Sequence, residues 1–211
     1  MILDSSEDAQ MPENVIPTKG REQLLEIAVN HYVNENPVKG PYPKQYRQLI
    51  VAMGCFWGAE RMFWEQEGVF STSAGYIGGS TRNPTYEEVC SGKTGHAESV
   101  LIVYDPAIIP LNKLLAIFWE GHDPTQYMRQ GNDIGTQYRS AIFFPDEADL
   151  ELINKTKRLF QEQLARSGYG RIVTEIMSFE AFYFAENYHQ QYLAKNPSGY
   201  CGLGGTGVSL K

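Results

Sequence analysis

One cysteine stands where a thiol could act as a nucleophile. The segment Gly54-Cys55-Phe56-Trp57-Gly58 follows an apolar stretch typical of a strand and begins a helical pattern at Cys55. Backbone N–H groups at the start of a helix favour an anion, which predicts a lowered pKa for Cys55, and the thiolate is the reactive form of cysteine. An inert cysteine buried at a strand–helix corner fits the same position, and the aromatic pair after it would then belong to the core.

A carboxylate and a polar loop supply further candidates. Glu98 begins an alternating strand, where a carboxylate is usually exposed. Inside an aromatic pocket its pKa would rise, and it could donate a proton near neutral pH. Asp133 and Tyr138 lie in a Gly-punctuated loop over residues 130–140. Because loops on a rigid scaffold concentrate function, both residues could orient a substrate or a neighbouring acid.

The other thiols are few and widely spaced. Cys90 and Cys201 bring the cysteines to 3, an odd number with no C-x-x-C pair. This pattern argues against a disulfide framework and against a structural zinc site. The histidines show no H-x-x-x-H pair either, so no metal site is predicted.

Composition indicates a folded, soluble protein. The chain has 211 residues, of which 42% are hydrophobic and 20% charged, enough apolar material for a packed core. Its net charge of -7 repels the phosphates of nucleic acids and anionic membranes. No apolar run of signal-peptide or membrane-spanning length occurs, so we expect a cytoplasmic protein with reduced thiols.

The elements that must position these residues alternate from about residue 47. Strands are predicted over 47–53, 69–76, 97–104, 140–144 and 171–177, and helices over 21–33, 55–67, 110–120, 146–167 and 182–194. The central βαββαβ order predicts an α+β fold, a two-layer ferredoxin-like plait with a mixed, antiparallel-rich sheet, extra peripheral helices and long loops. Residues 76–96 are expected to form one of those loops, with Cys90 in it.

A series of short motifs resembles the A-type peptide methionine sulfoxide reductases. The nucleophile motif of that family is matched by residues 54–60. Further matches, in chain order, are residues 75–79, 86–98, 104–106, 122–125, 130–140, 185–190 and 199–207. The first 45 residues lie outside the resemblance.

The resemblance implies reduction of methionine S-sulfoxide, in proteins and free, to methionine, without a metal or an organic cofactor. Cys55 would attack the sulfoxide sulfur, and Glu98 would protonate the departing oxygen. The substrate-binding residues implied by the same motifs are Phe56 and Trp57 for the methyl group, Tyr86 and Tyr138 for the oxygen, and Asp133 for polar positioning.

The same resemblance, to the members with three cysteines, implies a thiol relay. Cys90 would condense with the sulfenic acid of Cys55, and Cys201 would then attack Cys90 and move the disulfide outward. The implied partners are thioredoxin as reductant, and oxidised proteins and free methionine sulfoxide as substrates. Nucleic acid and membrane are not expected partners, and the chain is expected to be a monomer.

Three segments follow from this assignment. Residues 1–45 are expected to be an N-terminal extension with a peripheral helix, and residues 46–197 the catalytic α+β domain. Residues 198–211 are expected to be a flexible Gly-rich tail that carries a recycling cysteine. The polar stretch over residues 1–19 is typical of a poorly ordered arm or of one that wraps the domain.

Two other functions fit part of the sequence. A papain-like thiol hydrolase would pair Cys55 with His189, which lies downstream at the spacing of those enzymes. The C-G-S-C-W signature is absent, however, and such a mechanism has no use for two further cysteines. A non-enzymatic binding module with an aromatic pocket also fits.

Overall fold

A six-stranded sheet forms the centre of this computed structural model, which describes residues 19–178 and 181–210. Its strands are β1 (Arg47–Met53), β2 (Val69–Ile77), β3 (Ala97–Tyr104), β6 (Ser140–Phe144), β7 (Glu175–Ser178) and β8 (Tyr183–Phe184). Two short strands, β4 (Arg129–Gln130) and β5 (Asp133–Ile134), form a separate ribbon. The strand order is β7-β6-β1-β3-β2-β8, with β6 and β7 parallel and every other neighbouring pair antiparallel.

The described residues form five α-helices. They are α1 (Phe56–Trp64), α2 (Tyr86–Cys90), α3 (Leu111–Gly121), α4 (Leu150–Arg166) and α5 (Tyr192–Lys195), with 3-10 turns at Thr136–Tyr138 and Glu147–Asp149. A capping box starts α2, because the Thr85 hydroxyl accepts from the Glu88 N–H and the Glu88 carboxylate accepts from the Thr85 N–H. No helix in the described ranges has the length and hydrophobicity that a membrane crossing requires.

Strands β1 and β3 are buried on both faces, and their period of two divides the core. Leu49, Val51 and Met53 face the helices, whereas Ile50 and Ala52 face the opposite side of the sheet. The helix side is filled by large residues of α1, α3 and α4. The opposite side is covered by aromatic residues from segments outside the helices, among them Tyr42, Tyr46, Phe182 and Phe184.

The α+β prediction is confirmed, but two predicted helices are wrong. Residues 21–33 are irregular, and their apolar side chains do not share a buried face, since Leu24 and Val29 are 69% and 79% exposed. Residues 182–194 begin as strand β8 on the edge of β2. Gln191 then has a φ of 48°, a left-handed conformation that no α-helix continues through, so α5 starts only at Tyr192.

Smaller differences concern where elements begin. The predicted helix over 146–167 starts as a 3-10 turn capped by Asp146, and α4 follows it. Strand β7 begins at Glu175, four residues later than predicted for 171–177. The long segment after β2 contains α2, so Cys90 ends a helix and does not lie in a loop. The arm predicted over residues 1–19 lies, except for its last residue, outside the described ranges.

Candidate active site

Cys55 lies at the turn from β1 into α1 and is 7% exposed. Gly54 makes that turn with a φ of 96°, and a Cβ at this position would lie 2.6 Å from the Gln130 Cβ. The backbone N–H groups of Trp57 and Gly58 point to the side of the helix start that favours a negative charge on the Cys55 sulfur and act to lower its pKa. The nucleophile candidate is therefore held on the first turn of the helix, as predicted from sequence.

Glu98 lies beside Cys55 because of the sheet register. Val51 of β1 pairs with Val100 of β3, which brings the end of β1 next to the start of β3. Glu98 shares the helix-facing side of β3 with Val100 and is 1% exposed. The Phe56 N–H, on the residue after Cys55, donates to Glu98 Oε2 at 3.1 Å.

Burial gives Glu98 the pKa of a weak acid. Desolvation raises the pKa of Glu98 to about 8, the Phe56 N–H opposes this rise, and the negative charge of Asp133 adds to it. Close to neutral pH, most Glu98 side chains consequently carry a proton. A protonated carboxyl next to a thiol can deliver that proton to an atom that Cys55 displaces.

The prediction of a lowered pKa for Cys55 is wrong for this geometry. Burial raises the pKa of the Cys55 thiol, the charge of Glu98 raises it further, and the N–H groups of Trp57 and Gly58 only partly oppose these effects. Desolvation thus outweighs the helix terminus. Protonation of Glu98 removes the repulsive charge, so the protonation states of the two groups are coupled.

A cavity of about 210 Å³ opens above these two groups. Its lining residues are Cys55, Phe56, Trp57, Tyr86, Glu98, Asp133, Tyr138 and Tyr200. The structure brings together every residue predicted for catalysis or substrate binding except Cys90 and Cys201. A larger cavity of about 600 Å³ beside Ile77 and Phe143 has neither a thiol nor a carboxylate among its described lining residues, so volume alone does not identify the site.

Three tyrosines place hydroxyl groups around the cavity. Burial raises the pKa of Tyr86 and of Tyr138, so both remain hydrogen-bond donors at neutral pH. Tyr200 was not selected from the sequence, although the match over residues 199–207 contains it. Its hydroxyl donates to both carboxylate oxygens of Asp133 at 3.4 Å, which links the C-terminal segment to the 130–140 loop.

Trp57, in the aromatic wall of the cavity, is held in place by His189 and Tyr192. The Trp57 indole Nε1–H donates to His189 Nδ1 at 3.0 Å, and the Trp57 ring stacks on Tyr192 with 3.9 Å between centroids. Burial lowers the pKa of His189 to about 4, so the imidazole is neutral. Because Nδ1 of His189 accepts from Trp57, the pairing of His189 with Cys55 required by a papain-like mechanism has no support in this geometry.

The two remaining cysteines are exposed, and all three are free. The Tyr86 hydroxyl donates to Cys90 at the end of α2, yet burial of the thiol still raises the pKa of Cys90. Cys201, in the C-terminal segment, packs against the first turn of α1. A Cβ on Gly58 would come within 2.8 Å of the Cys201 Sγ. Arg61 Nη2 donates to the same sulfur at 3.6 Å.

The C-terminal segment is held at several points beyond Cys201. Leu203 packs against the core, the Tyr169 hydroxyl donates to the Thr206 carbonyl at 2.9 Å, and the Leu210 N–H donates to Glu120 Oε1 at 2.7 Å.

Within the part of the chain that the structure describes, no group of three or more His, Cys, Asp or Glu side chains is arranged to hold a metal ion.

Comparison with known proteins gives the family of this chain. Residues 47–206 match the family model described as peptide methionine sulfoxide reductase. The chain belongs to this family. A peptide methionine sulfoxide reductase MsrA of Ectopseudomonas mendocina (strain ymp) is 59% identical over 198 residues, covering 94% of this chain and 90% of that protein.

Solved structures show the same relationship. Methionine sulfoxide reductase A of Corynebacterium diphtheriae superposes with a TM-score of 0.85 at 41% identity, covering 91% of this chain and 93% of that one. Mxr1 from Saccharomyces cerevisiae, solved in complex with Trx2, superposes with a TM-score of 0.50 at 26% identity, covering 73% and 89%.

Proposed function

We propose that this peptide methionine sulfoxide reductase converts methionine S-sulfoxide to methionine with Cys55 as nucleophile and Glu98 as general acid. The observation that carries the assignment is the placement of a buried thiol and a carboxyl of pKa about 8 in one cavity. A sulfoxide is a poor electrophile until its oxygen is protonated, so the reaction requires both groups together.

The first step transfers oxygen from substrate to enzyme. The Cys55 thiolate attacks the sulfoxide sulfur while Glu98 protonates the sulfoxide oxygen. The S–O bond of the substrate breaks and its oxygen becomes bonded to the Cys55 sulfur as the hydroxyl of a sulfenic acid. The transient bond between the two sulfurs breaks at the same time, so methionine leaves with two more electrons. One proton shared between Cys55 and Glu98 suffices, because the reactive form carries it on Glu98.

The cavity wall supplies binding and orientation. Phe56 and Trp57 form an apolar surface that suits the methyl group of methionine sulfoxide. The Tyr138 hydroxyl donates to the sulfoxide oxygen, and the Tyr86 hydroxyl does so when it turns away from Cys90. Asp133, paired with Tyr200, orients that edge of the site. A substrate seated in this way presents its sulfur to Cys55 and its oxygen to Glu98.

Two thiol exchanges then restore Cys55. The Cys90 thiol attacks the sulfenic acid sulfur, forms a Cys55–Cys90 disulfide and releases water. The Cys201 thiolate attacks Cys90, forms a Cys90–Cys201 disulfide and returns Cys55 to the thiol state. A thioredoxin dithiol reduces the second disulfide and is itself oxidised; the solved complex of Mxr1 with Trx2 supports this choice of reductant.

The architecture fits a catalytic domain followed by a tail that carries a recycling cysteine. The order β6-β1-β3-β2 at the centre of the sheet supports a two-layer ferredoxin-like plait with helices on one face. Residues 46–197 form the catalytic domain in this proposal, and residues 198–211 form a tail that presents Cys201. The family model matches residues 47–206, which supports a catalytic domain that begins at residue 46.

An assay of the two sulfoxide epimers tests the function. With dithiothreitol as reductant, the protein should reduce the S epimer of methionine sulfoxide and leave the R epimer nearly untouched. No turnover of the S epimer would overturn the proposal and favour a binding module. Hydrolysis of a peptide or ester substrate in place of sulfoxide reduction would favour the thiol hydrolase.

A further inference from the structure

A second buried carboxylate lies on α1, and the proposed reaction does not use it. Glu60 is 0% exposed, yet three donors converge on its oxygens. The Gln191 backbone N–H donates at 2.8 Å, the Gln191 Nε2–H at 2.7 Å and the Thr72 hydroxyl at 3.1 Å. Burial raises the pKa of Glu60 to about 7, while these donors and the nearby Lys195 favour its charged form.

The hydrogen bonds around Glu60 have one consistent direction. The Val33 N–H donates to His31 Nδ1 at 3.2 Å, so Nε2 of the neutral ring carries the proton. His31 Nε2 then donates to Thr72 Oγ1 at 2.9 Å, which directs the Thr72 hydroxyl towards Glu60. Burial lowers the pKa of His31 to about 4, which agrees with a neutral ring. Each donor in this series of hydrogen bonds therefore has an acceptor, and the Glu60 carboxylate is the last acceptor.

Glu60 holds Gln191 in an unusual conformation. Gln191 has a φ of 48°, which is costly for a residue with a Cβ. Its side-chain Oε1 accepts from the Tyr32 N–H at 3.1 Å, so the amide Nε2 faces Glu60. Both the backbone and the side chain of Gln191 are thus oriented by the carboxylate.

The turn around Gln191 carries the residues that support Trp57. His189, two residues before it, accepts from the Trp57 indole, and Tyr192, the next residue, stacks on the same ring. A shift at Gln191 would move both supports together. One short segment, residues 189–192, therefore connects Glu60 with the Trp57 side of the cavity.

We propose that Glu60, acting through Gln191, is a positioning residue that holds Trp57 in the substrate-binding wall. The inference rests on the proposed function, because it gives Trp57 the role of binding the substrate methyl group. Glu60 touches neither the cavity nor Cys55 and acts only by fixing the 189–192 turn.

Glu60→Gln tests this role, since it keeps the shape but places an amide N–H against the donors of Gln191. We expect KM for methionine S-sulfoxide to rise by roughly tenfold, the scale of one lost apolar contact in a pocket, with kcat changed little. In protein labelled with 5-fluorotryptophan, the ¹⁹F resonance of Trp57 should move. Assignment uses Trp57→Phe, Trp64→Phe and Trp119→Phe proteins.

Thr156→Val is the matched control. It removes another buried hydrogen bond to a tryptophan, the 3.0 Å bond from Trp119 Nε1 to Thr156 Oγ1. This variant should move the Trp119 resonance and lower the melting temperature, but leave KM and the Trp57 resonance as in the wild type. A rise in KM as large as that of Glu60→Gln would show that loss of any buried hydrogen bond weakens substrate binding. This result would overturn the proposal.

Gln191→Met decides the matter if Glu60→Gln does not fold, because it removes the amide and keeps the side-chain length. It should raise KM and move the Trp57 resonance in the same way. An unmoved Trp57 resonance, or an unchanged KM, in a folded variant contradicts the role of Glu60. If the wild-type protein reduces no sulfoxide, the proposed function fails, and the ¹⁹F resonance alone still reports whether Glu60 positions Trp57.

Discussion

The cavity and the two exposed cysteines differ in how firmly the fold holds their reactive groups. Cys55 and Glu98 lie on a helix start and a central strand and are 7% and 1% exposed. Cys90 and Cys201 are exposed, one at the end of a five-residue helix and the other in an irregular segment. Attack on a sulfoxide needs fixed groups and shifted pKa values, whereas disulfide exchange needs thiols that a partner can reach.

The largest expected effect separates these two regions by their cysteines. Cys55→Ser should abolish reduction altogether, because the first electrons pass through this thiol. Cys201→Ser should keep a first turnover at the wild-type rate but lose cycling driven by thioredoxin, since the inner disulfide would not move outward. Rapid-quench measurement of methionine formed per enzyme, with and without thioredoxin, distinguishes the two variants.

Normal thioredoxin-driven cycling of Cys201→Ser would show that thioredoxin reduces the Cys55–Cys90 disulfide directly. The contrast between a buried reaction centre and an exposed exchange site would then involve one exposed cysteine only. The same measurement on Cys90→Ser completes the comparison, as that variant should stop after one turnover with a sulfenic acid on Cys55.

A second prediction concerns the acid inside the cavity. Glu98→Gln should slow single-turnover reduction by about 100-fold, the usual scale for loss of a general acid. Because the pKa of Glu98 is raised to about 8, its protonated fraction falls as pH rises through that value. The reactive form, with a Cys55 thiolate and a protonated Glu98, has one proton fewer than the neutral pair, so the wild-type rate should rise with pH and level off above about pH 8.

Stopped-flow rates between pH 6 and 10 check this dependence. The levelling near pH 8 should be absent in Glu98→Gln, which has no proton to lose at this position, so its slower rate should keep rising with pH. A wild-type rate that rises steadily with pH would instead indicate that formation of the Cys55 thiolate limits the reaction, and that Glu98 does not supply the proton.

The sequence pattern predicted the fixed region better than the peripheral one. Strands β1, β3 and β6 have their predicted bounds because short apolar runs mark strands buried on both faces of a sheet, and side chains along each strand alternate between those faces. The same alternation puts Glu98 on the side of Val100 and Ile102, towards α1. The period of two gives the face of β3 that carries Glu98, whereas its place beside Cys55 depends on the pairing of β1 with β3.

Long-range contacts determined what the sequence could not predict. Gln191 is held at a positive φ by Glu60, 131 residues away, and this interrupts the helix predicted for 182–194. The pKa of Cys55 depends on burial and on Glu98, and neither follows from its position at a helix start. Tyr200 reaches the cavity through Asp133, a contact that local pattern does not encode.

The smallest expected effect tests whether the tail opens separately from the core. Leu203→Ala removes a partly buried side chain that packs against the core. A loss of about 1 kcal/mol of docking energy should raise the population of the undocked tail about fivefold. Hydrogen exchange should then show about fivefold less protection for the Leu210 N–H, which is bonded to Glu120, and unchanged protection in β3.

Leu24→Ala is the matched control, since Leu24 is 69% exposed and its truncation should leave both exchange rates as in the wild type. Equal loss of protection at Leu210 and throughout β3 would mean that tail and core open as one cooperative unit. In that case Cys201 could reach Cys90 only by unfolding the site that Cys55 needs. Selective loss at Leu210 allows the relay to proceed while the cavity remains closed and ordered.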